Sequence, residues 1–282
     1  MAERVIRLAD HVASSKMAVH LAGVSIAYAL KGGGRYEAVA PSSLNVAEGE
    51  FVSIVGPTGC GKSTLLNAAA GLIKPSGGRV EIFGKLLSGL NGQAGYLFQQ
   101  DALMPWKTAL DNAAIGLEVA GVPRGEALEK ARQILAKVGL KSFGDRYPHQ
   151  LSGGQRKRVA LAQMLVREPK ILLMDEPFGP LDAQTRIMMG DLLLGLWQQD
   201  RKAVMFVTHD LEEAIALSDR VIVMSSGPSA HLMGEFRIDL SRPRNIADIR
   251  TEPRFHALHR EIWNTLKVEV QRAYAAGEGR DE

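Results

Sequence analysis

Gly56-Pro57-Thr58-Gly59-Cys60-Gly61-Lys62-Ser63-Thr64 follows the pattern G-x-x-x-x-G-K-[ST] of a phosphate-binding loop. The flanks suit that reading. Phe51-Val52-Ser53-Ile54-Val55 is a short apolar run that predicts a buried strand, and Lys62 to Ala70 predicts a helix. Glycines at 56, 59 and 61 let the backbone curl so that successive N–H groups point at anionic oxygens. The helix that follows aims its positive end at the same place. Lys62 adds a mobile charge for terminal phosphates, and Ser63 adds a hydroxyl suited to Mg²⁺. A bare glycine turn before a helix would not need this whole register.

The neighbouring segments extend the pattern. Strands are expected at Val19 to Tyr28, Ser43 to Val46, Arg79 to Phe83 and Gly95 to Phe98, with a flexible turn at Lys31 to Arg35. Thr108 to Lys137 reads as helical, broken at Gly121-Val122-Pro123. A further helix begins near Gly153 and runs to Arg167. Strands at Lys170 to Met174, Ala203 to Thr208, Arg220 to Met224 and His231 to Ile238 alternate with helices at Ala183 to Gln199 and Leu211 to Leu217. That alternation predicts an α/β fold with a mostly parallel sheet covered on both faces, and an all-helical insertion in its middle.

Composition narrows the class. The chain has 282 residues, 46% hydrophobic and 23% charged, as in ordinary globular proteins. A net charge of +3, from 34 basic and 31 acidic residues, is too balanced to argue for nucleic acid. The single cysteine, Cys60, excludes an internal disulfide, suits a reducing compartment and serves the loop by being small. No apolar run is long enough to span a bilayer. Residues 1–16 mix charges with short apolar pieces, lack a signal-like apolar stretch and are expected to form a flexible arm.

Two further stretches carry chemistry. Ile171-Leu172-Leu173-Met174-Asp175-Glu176 is a buried strand ending in two carboxylates. In a parallel sheet ligands sit at the carboxyl ends of strands, so the pair should emerge beside the phosphate loop. Asp175 suits Mg²⁺, directly or through water, and Glu176 suits deprotonation of an attacking water. Leu151-Ser152-Gly153-Gly154-Gln155 opens a helix with a hydroxyl, two glycines and a positive dipole end, a second anion-binding arrangement. Taken alone it would be a simple helix cap. Two phosphate sites in one chain need not face each other within one molecule.

Together these three stretches resemble the Walker A, signature and Walker B motifs of ABC-transporter ATPase subunits, and the resemblance covers roughly residues 17–240. Gln99 is similar to that family's Q-loop glutamine, Leu181-Asp182 to its D-loop and His209 to its switch histidine. Tyr28 resembles the aromatic that stacks on adenine, with Tyr36 as a competitor beyond the glycine turn. Pro180 in the D-loop and Gln163 after the signature helix depart from the common pattern.

The resemblance implies an ABC cassette with a RecA-like core, an antiparallel β subdomain and a helical subdomain inserted at about 100–165. It also implies ATP and Mg²⁺ as cofactors. Phosphate contacts would come from Gly56 through Thr64, with Ser152 and Gly154 of a second copy closing over the terminal phosphate in a head-to-tail homodimer, and Gly153, Gln155 and Asp182 as further nucleotide-binding candidates. Ser63, Gln99 and Asp175 would hold the metal. Glu176 would be the base, with His209 and Gln99 beside it.

Finer likeness lies in Phe98-Gln99-Gln100-Asp101-Ala102-Leu103-Met104-Pro105-Trp106, in Met174 to Gly179 and in Ala183-Gln184-Thr185-Arg186, which resemble importers of the nitrate, sulfonate and taurine type. The expected partners are then an integral-membrane permease and, indirectly, an extracytoplasmic solute-binding protein. The expected location is cytoplasmic, on the inner face of a bacterial plasma membrane. Two rivals stay open. One is a non-transport ABC ATPase acting on nucleic acid or the ribosome, a class that usually carries two cassettes or a long coiled-coil insertion. The other is a nucleotide-switched regulatory module, which would not need Glu176.

The tail, residues 241–282, stands apart as a helical extension. Ser241-Arg242-Pro243-Arg244 reads as a linker. Phe255, Leu258, Ile262, Leu266 and Val270 then fall on one face of an amphipathic helix, with Trp263 beside it. That face is expected either to pack on its own cassette or to meet a membrane or partner. Glu261 and Glu269 read as dilution of the positive charge a membrane helix needs.

Overall fold

The computed structural model describes residues 16–278, so the arm expected over 1–16 lies, apart from Lys16, outside the described residues. The framework is a six-stranded sheet. Its strands are β3 (Phe51–Val55), β6 (Ala94–Leu97), β7 (Ile171–Asp175), β8 (Ala203–Val207), β9 (Arg220–Met224) and β10 (Leu232–Arg237), in the order β10-β9-β3-β8-β7-β6. Neighbours from β9 across to β6 pair in parallel, and β10 adds antiparallel to β9. Every residue of β3 and β8 is buried, which is why neither alternates: β8 is apolar throughout and β3 is apolar but for the small Ser53.

A second, antiparallel sheet runs β2-β1-β4-β5, from β1 (Met17–Ala29), β2 (Arg35–Ala47), β4 (Gly77–Ile82) and β5 (Lys85–Leu86). Here the sequence underestimates the strand: Ser43 to Val46 is only the end of a thirteen-residue β2. Pro41 sits within this strand, where proline removes a ladder donor. β2 is an edge strand, however, and its register shifts between Val39 and Ser42, so a residue without an N–H costs the ladder nothing. β5 is too short to show a period.

Helix α1 (Lys62–Ala70) follows β3 directly. Between β6 and β7 the chain is helical: α2 (Ala109–Val119), α3 (Arg124–Lys137), a single 3₁₀ turn at Pro148–Gln150 and α4 (Gly153–Leu165). The break between α2 and α3 falls at Gly121-Val122-Pro123, where Pro123 presets the entry to α3. α5 (Ala183–Asp200) and α6 (Leu211–Leu217) complete the α/β alternation.

The tail folds back on its own chain. It contains α7 (Ile246–Ile249) and α8 (Pro253–Glu278). Phe255, Leu258, Ile262 and Leu266 are buried in the same core cluster as the α5 and α6 side chains, while Trp263 is 43% exposed. The segment expected to be a linker is an anchor instead. Arg244 is buried, and its guanidinium donates to the carbonyls of Ala216 (3.2 Å) and Ser218 (2.7 Å), taking up acceptors that α6 leaves at its C-terminus, and to the Leu240 carbonyl (2.9 Å). Arg242 lies over the Trp197 ring at 4.3 Å and donates to Asp219 Oδ1 at 2.8 Å. Among the described residues no helix is long and apolar enough to cross a membrane.

Candidate functional site

The carboxyl ends of β3, β7 and β8 lie side by side, and each delivers functional groups to one place. After β3 comes the phosphate loop. Gly61 is the N-cap of α1 at φ 100, in the left-handed region, and no side chain caps this helix. That contrasts with α2, α4, α5 and α6, each capped by a Thr, Ser or Asp side chain. The first N–H groups of α1 are therefore left for an anion. Gly56 has no room for a methyl group: a Cβ there would meet Cys60 Sγ at 2.9 Å and the Met224 carbonyl oxygen at 3.1 Å. Cys60 is buried, and burial pushes its thiol above the ordinary range, which suits a packing role.

Lys62 is buried, and its ammonium donates to the carbonyls of Gly56 (3.0 Å) and Pro57 (3.1 Å) while lying 3.7 Å from Glu176 Oε1. Ser63 Oγ donates to Asp175 Oδ1 at 2.7 Å, so the hydroxyl and carboxylate expected to share a cation are adjacent. Burial, first, and the neighbouring Glu176 charge hold the Asp175 carboxyl above the usual range, against hydrogen bonds from Ser63 and Tyr96 and the charge of Lys62. A bound cation would reverse that preference. The donors are hard oxygens, and no group of three or more His, Cys, Asp or Glu among the described residues is placed to hold a metal. The site thus fits an ion such as Mg²⁺, which keeps waters and takes phosphate oxygens, rather than an ion needing an all-protein cage.

Glu176 follows β7 with φ 41, a left-handed backbone that a glutamate adopts only under local constraint. Its N–H donates to the Val207 carbonyl at 2.9 Å, fixing the turn. The side chain lies between two cations or potential cations: Lys62 on one oxygen and His209 Nδ1 at 2.9 Å on the other. His209 is exposed and follows β8, so its ring stands at the mouth of the site.

The signature segment lies apart. Ser152 N-caps α4 in a reciprocal box, its hydroxyl accepting from the Gln155 N–H at 3.2 Å and Gln155 Oε1 accepting from the Ser152 N–H at 2.9 Å. Ser152 is exposed, with Gly153 and Gly154 beside it half-buried. Among the described residues no hydrogen bond or ion pair joins this helix start to the phosphate loop. Asp182 N-caps α5, bonding the Thr185 N–H (2.9 Å) and hydroxyl (2.6 Å). Gln99 is exposed. Tyr28 and Tyr36 are directly opposite each other across β1 and β2, so they share one face.

The sequence reading missed several supports. Tyr96 OH donates to Asn67 Oδ1 (2.8 Å) and lies 3.4 Å from Asp175 Oδ2. Lys157, buried on the signature helix, reaches the Gln99 carbonyl (3.0 Å) and Asp101 Oδ1 (2.8 Å), tying α4 to the Gln99 segment. Arg186 donates to both the Leu181 carbonyl (3.1 Å) and Asp210 Oδ2 (2.7 Å), bridging the segments that carry Asp182 and His209.

A phosphate loop, an adjacent Ser–Asp pair and a glutamate held by lysine and histidine at the ends of parallel strands define a nucleotide triphosphatase cassette. Residues 39–179 match the family described as ABC transporter. The taurine import ATP-binding protein TauB of Pseudomonas aeruginosa is 46% identical over 224 residues, spanning 78% of this chain and 85% of that protein. An uncharacterized ABC transporter ATP-binding protein of Methanocaldococcus jannaschii is 46% identical over 238 residues, spanning 84% of this chain and 87% of that one. The ATP-binding cassette MJ0796, solved as a dimer in a post-hydrolysis state bound to ADP and Pi, matches with a TM-score of 0.70 and 34% identity, over 79% of this chain and 100% of that one. The chain belongs to the ABC transporter family and is its ATP-binding, ATP-hydrolysing subunit.

Proposed function

We propose that this ATPase drives import of a small anion or organic solute such as nitrate, a sulfonate or taurine. It would act as a head-to-tail homodimer on the inner face of the plasma membrane, beneath an integral-membrane permease fed by an extracytoplasmic solute-binding protein. The solute class is supported by TauB relatives from several bacteria at 42–46% identity. The dimer is supported by the MJ0796 cassettes, and by Ser152, exposed at the start of the signature helix, which among the described residues has no hydrogen bond or ion pair to the phosphate loop of its own chain.

The observation that carries the catalytic reading is the convergence of Lys62, Ser63, Asp175, Glu176 and His209. ATP would lie with its phosphates on the uncapped start of α1 and its base against Tyr28. Lys62 exchanges its carbonyl partners for phosphate oxygens. Ser63 and Asp175 would hold Mg²⁺, with Gln99 reaching it on closure; the ion neutralises phosphate charge when bound. Glu176, freed from Lys62, takes the proton of an attacking water, and His209 keeps that carboxylate aimed. Ser152, Gly153, Gly154 and Gln155 of the second copy close over the terminal phosphate, and Asp182 keeps its own segment in register. Catalysis is positioning and charge stabilisation.

ATPase measurements with and without Mg²⁺, on the subunit co-purified with its permease, test this reading. Hydrolysis that depends on Mg²⁺ and is stimulated by loaded binding protein is the expected result. Calorimetric titration of that binding protein with taurine, other sulfonates and nitrate assigns the solute.

A further inference from the structure

Glu269 reads from the sequence only as a charge that dilutes the positive face a membrane helix needs. In the fold it is buried, at 1% exposure, at the inner edge of α8. One carboxylate oxygen accepts from both the N–H and the hydroxyl of Ser226, each at 2.8 Å; the other accepts from Arg272 at 2.6 Å. A carboxylate this enclosed is costly unless its hydrogen bonds are met. Here three donors converge on it. Burial alone would raise its pKa, but the Ser226 and Arg272 bonds bring it below the ordinary glutamate value, so the charge stays.

What Glu269 holds is the segment between β9 and β10, and that segment lies against the phosphate loop. Met224 packs on Gly56, as the 3.1 Å clearance for a Cβ at that glycine shows. At Gly227 a Cβ would sit 3.8 Å from the Gly59 carbonyl oxygen, 3.9 Å from Cys60 Cα and 3.8 Å from the Tyr36 hydroxyl. On its far side the segment is fastened to β2. Ser229 N–H donates to the Glu37 carbonyl (2.7 Å), Ser229 Oγ to the Glu37 carboxylate (2.8 Å), and Ala40 N–H to the Ala230 carbonyl (2.9 Å). The β2 residue Val39 in turn walls the loop, its Cγ2 standing 2.8 Å from where a Cβ on Gly61 would be. Residues 224–230 therefore form a backing plate for Gly56 to Gly61, pinned by β2 on one side and by α8 on the other.

We infer that Glu269 is a positioning residue: through Ser226 it lets the C-terminal helix set the shape of the phosphate loop, and hence nucleotide affinity. The inference rests on nucleotide binding at that loop. The tail is thereby more than a cover for the core. Anything that draws α8 away, such as a partner competing for its surface, weakens nucleotide binding without touching the catalytic glutamate. The coupling is reciprocal, so bound nucleotide protects the Ser226 contact as well.

The test compares Glu269→Ala, Glu269→Gln and Leu266→Ala in the full-length subunit. Leu266→Ala removes core packing from α8 and leaves the carboxylate in place. Three quantities are read: Kd for a non-hydrolysable ATP analogue with Mg²⁺, the split between KM and kcat, and hydrogen exchange of residues 56–61 and 224–230. Glu269→Ala should raise Kd and KM about five- to tenfold with kcat within about twofold, the scale of an ordinary coupling between sites. It should also speed exchange in both segments. Glu269→Gln keeps an acceptor for Ser226 and should recover most of the affinity. Leu266→Ala should lower Tm and leave Kd within about twofold.

Equal Kd shifts in Glu269→Ala and Leu266→Ala would reduce the residue to a packing role and overturn the inference. So would an unchanged Kd in Glu269→Ala. If that variant does not fold, Ser226→Ala, which removes the hydroxyl donor alone, carries the same expectation at about two- to threefold, and an unchanged Kd there overturns it equally. Absence of nucleotide binding in the parent protein would instead count against the underlying nucleotide site. The exchange of residues 224–230 in Glu269→Ala still decides the clamp in that event.

Discussion

Replacing Ile262 with alanine asks whether the C-terminal helix belongs to the cassette's core. Ile262 has no exposed surface and lies in one cluster with Phe255, Leu258, Leu266, Ile215 and Leu217. The substitution removes three carbons. At about 0.8 kcal/mol per buried carbon, with a further term for the cavity left behind, the loss is about 3 kcal/mol. For a chain of this size each kcal/mol lowers Tm by about 2–4 °C, so the expected fall is about 6–12 °C. Trp263, one residue along and 43% exposed, is the internal control, since its ring is partly solvated and its replacement by alanine should cost less than that of the fully buried Ile262. The assay is thermal unfolding of the isolated subunit followed by near-UV circular dichroism, with hydrogen exchange across 255–270. Slow exchange over that span in the parent belongs to the same expectation. A melt within about 1 °C of the parent together with rapid exchange would refute the self-packed tail and leave the face for a membrane or partner.

Other outcomes follow from the site and its surroundings. Tyr28→Ala should weaken ATP binding by about 1–3 kcal/mol, the worth of one aromatic–base stack, with Tyr36→Ala costing less; equal losses in equilibrium binding would assign the base to the pair. Glu213, buried behind the His209 segment with Thr208 Oγ1 donating to it, is held up to about 7 mainly by burial, above its ordinary 4.5. The folded state then keeps a proton that the unfolded chain releases, so stability falls as pH rises from about 4.5 to 7, by on the order of 3 kcal/mol. Glu213→Gln should raise Tm at pH 8 and flatten that slope in melts taken across the range; an unchanged slope would remove Glu213 as its source. Mixing Ser152→Arg with Lys62→Ala subunits should restore hydrolysis that neither variant has alone, because one of the two composite sites is then intact. Equal residual activity in all samples would mean that each monomer works by itself.

The legible parts of this fold are those whose chemistry is local in sequence. The phosphate loop, the strand ending in Asp175-Glu176 and the Ser152 cap each carry their meaning within a few residues, because a turn, a strand end or a helix start needs particular residue types in order. What was hidden depends on distant partners. The first part of β2 stayed hidden, since nothing near Pro41 shows that the strand lies at an edge, where a missing N–H is tolerated. Arg244 read as linker because the α6 carbonyls it caps lie two strands away in sequence. Lys157 carries no motif of its own and Arg186 entered only as the end of a four-residue likeness; their partners, Asp101 and Asp210, become visible only once helices α4 and α5 are docked. Glu269 was misread for the same reason: helical periodicity says which face a residue occupies, not that a serine forty-three positions earlier will meet it.

The central claim is that Glu176 drives hydrolysis at a site where Lys62 and Ser63 bind nucleotide. Glu176→Gln in the permease-coupled complex tests it most directly, with equilibrium ATP binding and steady-state turnover measured on one preparation. ATP affinity equal to or tighter than the parent's, a stable ATP-bound dimer and turnover slower by about 10² or more are expected. Turnover near the parent's rate, with binding intact, would contradict it.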